Sequence, residues 1–175
     1  TSEGRKAALD LRLMKPSAKD DPQGKVNQAV ENIFQIWQDS KPERSTQLVF
    51  CDLSTPKDKG FSVYRDAAEK LERLGVPSGD IAFIQDYDSD ASKLALFRDV
   101  RAGKVRVLFG STQKMGSGTN VQERLIALHH FDAPWRPADV EQREGRILRQ
   151  GNKNEVVSIY RYVTEGSFDA YMWQT

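Results

Sequence analysis

From residue 46 to residue 163, short apolar runs alternate with amphipathic helical segments, and this alternation constrains the fold more than any single motif. Residues 47–52, 81–84, 105–109, 125–131 and 156–163 read as strands: brief, rich in Val, Ile, Leu and Phe, and bounded by turn-formers such as Ser54-Thr55-Pro56. Between them, 61–74, 89–102 and a segment starting near Ala138 and reaching Arg149 carry helical periodicity. The first of these ends at Gly75, and Ser89 or Asp90 caps the second. A further helix precedes the series at 25–39, where Val26, Val30, Ile33, Phe34 and Trp37 share one face, and another follows at 167–175. Short apolar strands separated by helices predict an α/β fold, a parallel sheet covered on both faces. Ligands of such sheets sit at the carboxyl ends of the strands. The segments after Phe109 and Phe131 are therefore where chemistry is expected.

The 175 residues suffice for one domain with a real core. Residues 25–175 are expected to form it. Residues 1–24 are polar, contain two prolines and the run Lys19-Asp20-Asp21-Pro22, and read as a linker or incoming segment with a short helix near 5–14. The chain opens without Met and stops inside a helical pattern, so it reads as a piece of something longer. No apolar run reaches membrane-spanning length and the first residues do not resemble a signal peptide, so no membrane partner is expected. The single cysteine, Cys51, lies in an apolar run and fits an intracellular, cytoplasmic setting. A net charge of +1 creates no global field toward nucleic acid, so local clusters must provide any such contact. His129 and His130 fall in a strand without cysteine or carboxylate at ligand spacing; they read as structural, and no metal site is expected.

Two segments carry chemistry. The first is Ser111-Thr112-Gln113-Lys114-Met115-Gly116-Ser117-Gly118-Thr119-Asn120, whose glycines admit a ligand to backbone amides and whose hydroxyls donate to phosphate oxygens. Taken alone it is also what an ordinary surface loop looks like. The second is Gln142-Arg143-Glu144-Gly145-Arg146-Ile147-Leu148-Arg149-Gln150-Gly151, which sets Arg146 and Arg149 one helical turn apart. Paired guanidiniums suit a phosphate chain, and Gly145 removes bulk beside them. Interleaved with Glu141 and Glu144, the same arginines also suit a solvated face of local ion pairs.

Order and spacing favour the first alternative. Gln-x-x-Gly-Arg-x-x-Arg resembles the last motif of superfamily-two helicases. From Thr46 to Phe168 the chain resembles the second RecA-like lobe of Swi/Snf-type DNA translocases within that superfamily. Gln47 to Ser54 resembles that lobe's opening strand and loop, and Asp86 to Arg98 a loop leading into a helix. Val107 to Asn120 is similar to the family's strand and Ser-Thr-x-x-x-Gly-x-Gly-x-Asn loop. Asp132-Ala133-Pro134-Trp135-Arg136-Pro137 resembles its Asp-x-x-Trp-x-Pro turn, and Tyr160 to Asp169 its exit strand. Glu-Gly-Arg-Lys-Ala-Ala near the start and the wording of the middle loop further resemble the helicase portion of bacterial mobile-element proteins, where a DNA methylase accompanies the motor.

The resemblance implies a helicase or translocase C-terminal lobe, with the first lobe and DNA, duplex rather than single-stranded, as partners. It casts Arg149 as an arginine finger, Arg146 as a ligand of the terminal phosphates and Gln142 as a positioning group. Gly118, Asn120 and Gly145 fall on the nucleotide side, and Ser54, Ser111, Thr112 and Lys114 on the DNA side. Two departures are visible: Asn120 stands where the family often has an acidic residue, and Ile147-Leu148 stands where Swi/Snf motors often carry x-His. ATP and Mg²⁺ belong to a two-lobe parent. This chain has neither the Gly-x-x-x-x-Gly-Lys-Ser/Thr loop nor an apolar strand ending in Asp-Glu, and alone should neither hold ATP tightly nor hydrolyse it. The alternative is a non-catalytic nucleic-acid-binding or regulatory module on the same fold. A dinucleotide-binding domain would need a Gly-x-Gly-x-x-Gly turn after its first strand, which is absent.

Overall fold

A computed structural model describes residues 2–56, 59–115 and 119–174. Five strands, β1 (Thr46–Phe50), β2 (Ile81–Phe83), β3 (Val107–Gly110), β4 (Leu125–His130) and β5 (Ser158–Arg161), form one sheet in the order β2-β3-β1-β4-β5. Every pairing is parallel. The helices are α1 (Ser2–Leu9), α2 (Lys25–Asp39), α3 (Val63–Leu74), α4 (Asp90–Arg101), α5 (Pro137–Glu144) and α6 (Phe168–Gln174). The predicted α/β architecture is what forms: a RecA-like parallel sheet with helices on both faces.

The pleat explains the two-sided core, because successive side chains of a strand point to opposite faces. Val49 and Cys51 pack with Val107, Phe109 and Phe131 against α2 and α3; their neighbours Leu48 and Phe50 pack with Leu108 and Leu128 against Leu96, Phe97 and Val100 of α4. All five residues of β1 are buried, as befits the central strand.

Local chemistry sets the helix limits. Ser89 caps α4 by accepting the Ser92 N–H at 3.1 Å. Gly75 closes α3 at φ 118°, a left-handed conformation that side chains disfavour. At the start of α3 the cap comes from a distance: Ser54 Oγ accepts the Val63 N–H at 2.9 Å, nine residues downstream. The segment 2–24 carries α1, whose Ala8 and Leu9 are buried, and a short 3-10 turn at Leu11–Leu13. Arg12 there lies between Asp10 and Asp66 at 2.7 and 3.0 Å, tying this segment to α3. Among the described residues no helix is long and apolar enough to cross a membrane.

The arginine-bearing helix is shorter than its sequence predicts. α5 ends at Glu144 rather than at Arg149, and Arg146 and Arg149 lie in the turns that follow. Gly145 is a poor helix former, and Ile147, 1% exposed, inserts into the core beside α4 and draws the chain off the helical axis.

His129 and His130, adjacent on β4, face opposite sides of the sheet. Gln47 donates to the Ile33 carbonyl at 3.0 Å, so its oxygen must accept from His129 Nε2 at 2.7 Å. Nδ1 then accepts from the Tyr162 hydroxyl at 2.8 Å, and that hydroxyl accepts from Asn32 at 2.8 Å. Burial pushes the His129 pKa down to about 3; for His130, burial together with the charges of Arg143 and Arg161 pushes it to about 2. Both imidazoles ionise in the unfolded chain near pH 6.5 but resist doing so when folded. Their contribution is therefore intact above that pH and is lost as pH falls below it. Between about pH 6.5 and pH 5, stability should drop by up to about 1.4 kcal/mol per pH unit for each histidine. Urea titrations across that window should show the decline, and His129→Gln should reduce its slope by about half. A flat profile in the parent sequence would refute this.

Candidate functional site

Chain order places β1 at the sheet centre, with β2 and β3 to one side and β4 and β5 to the other. The crevice created by such a reversal lies beyond the strand carboxyl ends. There Asp52 follows β1, Ser111 and Thr112 follow β3, and Asp132 follows β4. Arg143, from α5, joins all three.

Arg143 is 1% exposed, and its five N–H bonds meet five acceptors: Thr112 Oγ1 at 2.8 Å, His130 Nδ1 at 3.1 Å, the Asp132 carbonyl at 2.9 Å, Asp132 Oδ1 at 2.9 Å and Asp52 Oδ2 at 2.9 Å. Burial by itself would lower its pKa, and the charges of Asp132 and Asp52 more than reverse this, leaving it raised. The carboxylates are shared further. Asp132 Oδ2 accepts the Asp52 and Leu53 amides at 2.7 and 2.8 Å, while Asp52 accepts the Thr112 amide and hydroxyl at 2.7 and 2.8 Å. Three strand ends and one helix are thus locked into a single polar unit. Because a guanidinium can only donate, His130 Nδ1 is an acceptor and its proton sits on Nε2.

Over this unit opens a cleft of about 550 Å³ lined by Asp52, Thr55, Ser111, Thr112, Gln113, Arg136, Asp139 and Gln142. It brings together Ser111 and Thr112, expected to face DNA, with Gln142, expected to face nucleotide. Thr112 is buried, its hydroxyl donating to Asp52 and accepting from Arg143. Ser111 accepts the Lys114 amide at 3.2 Å, and the Lys114 side chain is exposed. Ser54 is 2% exposed and engaged as the cap of α3.

Arg146 and Arg149 do not line this cleft. Arg146 is 4% exposed, and its pKa is lowered by burial and by the nearby charge of Arg149. Arg149 is exposed, one N–H donating to the Thr119 carbonyl at 3.0 Å. The structure therefore brings the two expected arginines close enough to repel and sets them against the end of the 111–120 loop. Asn120 is exposed there, its carbonyl accepting from Arg101 at 2.6 Å. Gly145 tightens the turn: a Cβ would stand 3.0 Å from the Glu141 carbonyl. Gly118, expected on the nucleotide side, lies outside the described residues.

Sequence reasoning missed Asp52, Asp132 and Arg143 as the unit that organises the edge. The signal was available: Asp52 and Asp132 each stand at the carboxyl end of an apolar run, two residues past β1 and β4, and those strands are neighbours.

Comparison with known proteins agrees with this architecture. The ATP-dependent helicase YqhH of Bacillus subtilis is 35% identical over 171 residues, covering 95% of this chain and 29% of its own length. The DNA excision repair protein ERCC-6-like of Bos taurus is 26% identical, covering 95% of this chain and 14% of its own. This chain thus spans less than a third of either relative. Among solved structures, the C-terminal part of the Fun30 ATPase domain superposes with a TM-score of 0.67 at 17% identity, over 95% of this chain and 52% of that one. Residues 27–151, from α2 through the arginine turn to Gly151, match the helicase conserved C-terminal domain, and the chain belongs to that family.

Proposed function

We propose that this chain is the C-terminal motor lobe of an ATP-dependent, Swi/Snf-like DNA helicase or translocase. The observation that carries the reading is the juxtaposition of Arg146 and Arg149, the first buried with its pKa depressed partly by the second. An anion between two like charges relieves their repulsion, and forked guanidiniums match phosphate oxygens. In a two-lobe parent, ATP with Mg²⁺ would supply that phosphate chain. Arg146 would hold the terminal phosphates, Arg149 would neutralise charge as the phosphoryl group leaves, and Gln142 would help position them. On this reading Gly145 and Asn120 serve the nucleotide side, as the family resemblance also implies for Gly118, which lies outside the described residues.

Ser111, Thr112, Lys114 and Ser54 form the DNA side of the reading. Ser111 and Thr112 sit at the cleft, and the exposed Lys114 beside it offers a cation for a phosphate. Ser54 contributes by holding α3 and the loop after β1 in place. Duplex DNA is the preferred partner and the first RecA-like lobe the obligate one. Residence in a bacterial mobile-element protein alongside a DNA methylase is the narrower form of the reading, and it rests on the wording of the sequence near residues 3–8 and 110–120.

The test compares ATP hydrolysis, with and without duplex DNA, by the two-lobe parent and by the isolated 175-residue chain. Turnover stimulated by DNA in the parent, and none in the isolated chain, is expected. A parent that binds DNA without hydrolysing ATP would instead make the lobe a non-catalytic nucleic-acid-binding module.

A further inference from the structure

Glu144, the last residue of α5, works at both of its ends. Its backbone carbonyl accepts the amides of Ile147 and Leu148, each at 3.2 Å, and so closes the turn that carries Arg146. Its carboxylate Oε1 accepts from His130 Nε2 at 3.1 Å and from Arg161 Nη2 at 2.9 Å, one donor from each of the neighbouring strands β4 and β5. Both donors are themselves held. His130 is fully buried, and Arg143 occupies its Nδ1, so its single N–H is aimed at Glu144. Trp173 of α6 meets His130 edge-on at 5.0 Å and lies 4.6 Å beneath the Arg161 guanidinium.

We propose that Glu144 is a positioning residue for Arg146 and Arg149: its carboxylate, gripped by His130 and Arg161 against Trp173, fixes the direction in which the turn after α5 leaves the sheet. The inference rests on the reading of Arg149 as a phosphate ligand. Glu144 touches no substrate in this scheme; it acts through the turn. A glutamate that merely neutralised Arg161 would not need the buried imidazole donor. An arginine displaced by about 1 Å is enough to cost turnover heavily.

The experiment uses the two-lobe parent. Glu144→Ala, Glu144→Gln, Arg149→Ala and the double variant Glu144→Ala/Arg149→Ala are compared for DNA-stimulated turnover and for amide exchange by mass spectrometry. Glu144→Ala is expected to lower kcat by about 10-fold. Glu144→Gln, which keeps Oε1 as an acceptor for both donors, should recover most of that loss. With Arg149 already removed, adding Glu144→Ala should cost less than about two-fold, because residues acting as a unit are not additive. Exchange should rise in the peptide spanning 145–149 and stay unchanged in the strands. Fully additive losses, a Gln variant as poor as Ala, or unchanged exchange over 145–149 would each overturn the proposal. Should Glu144→Ala fail to fold, Arg161→Gln removes one of the two donors from a half-exposed position and must show the same non-additivity with Arg149→Ala. If Arg149→Ala itself leaves turnover intact, the reading of Arg149 as a phosphate ligand fails as well; if only the Glu144 variants are silent, the positioning role fails alone.

Discussion

Arg149→Ala in the two-lobe parent is expected to reduce DNA-stimulated ATP turnover by about 10³-fold or more, the range associated with removal of an arginine finger. The prediction is sharp because the side chain does little else. Arg149 is exposed, and its described bond is a single donation to the Thr119 carbonyl. Removing it leaves the core around Ile147 untouched, so the melting temperature and the affinity for duplex DNA should stay close to those of the unaltered protein. Arg149→Lys should fall between the two, since an ammonium keeps the charge and loses the planar fork. Retained turnover in Arg149→Ala would remove the arginine-finger role.

Arg143→Ala should produce the largest loss of stability in the chain, about 3–5 kcal/mol, which is the cost of breaking a buried ion pair from one side. Asp132, with a fully buried side chain, would keep its two backbone donors and lose its counter-charge. Thr112, His130 and Asp52 would each lose a donor at the same time. For a domain whose total stability is of the order of 5–15 kcal/mol, the loss approaches unfolding. Lysine should rescue poorly, because three donors on one nitrogen cannot reach five acceptors spread around a planar group. Urea denaturation of the isolated chain measures the effect; a change under about 1 kcal/mol would show that the network contributes little net stability. The two arginines thus separate cleanly: one should abolish turnover in a folded protein, the other should unfold it.

That separation marks the limit of what the sequence reveals. The strands were legible because each is a short apolar run, and α2 falls on its predicted span of 25–39 because its apolar residues repeat at helical spacing over fifteen residues. The arginine segment was legible as a motif but not as a shape. Arg143, Arg146 and Arg149 follow one another at three-residue intervals, and no local pattern says that the first faces the sheet while the last faces solvent. That distinction depends on where Asp52 and Asp132 end up, and they are eighty residues apart in sequence. The early end of α5 has a similar cause, since Ile147 is drawn inward by residues of α4 and β4 that periodicity within α5 does not register. The opening segment shows the same gap: its polar composition gives no hint that Leu9 is buried or that Arg5 reaches the Ala133 carbonyl at 2.7 Å.

Strand β4 carries something like a parity check. His129 and His130 are chemically identical, and each hands its single N–H to a different compartment: one to Gln47 beneath α2, the other to Glu144 beside the arginine turn. A slip of one residue in pairing turns every side chain of a strand to the opposite face. For an apolar strand buried on both sides, such an error is nearly silent, because leucine and alanine are at home in either layer. Here a slip one way would put an aromatic ring, Phe131, where Arg143 requires an acceptor, and a slip the other way would put Leu128 where Tyr162 and Gln47 share a ring between them. The histidine pair makes misregistration of β4 a chemical error as well as a steric one, and so protects the alignment on which the strand ends, and everything mounted on them, depend.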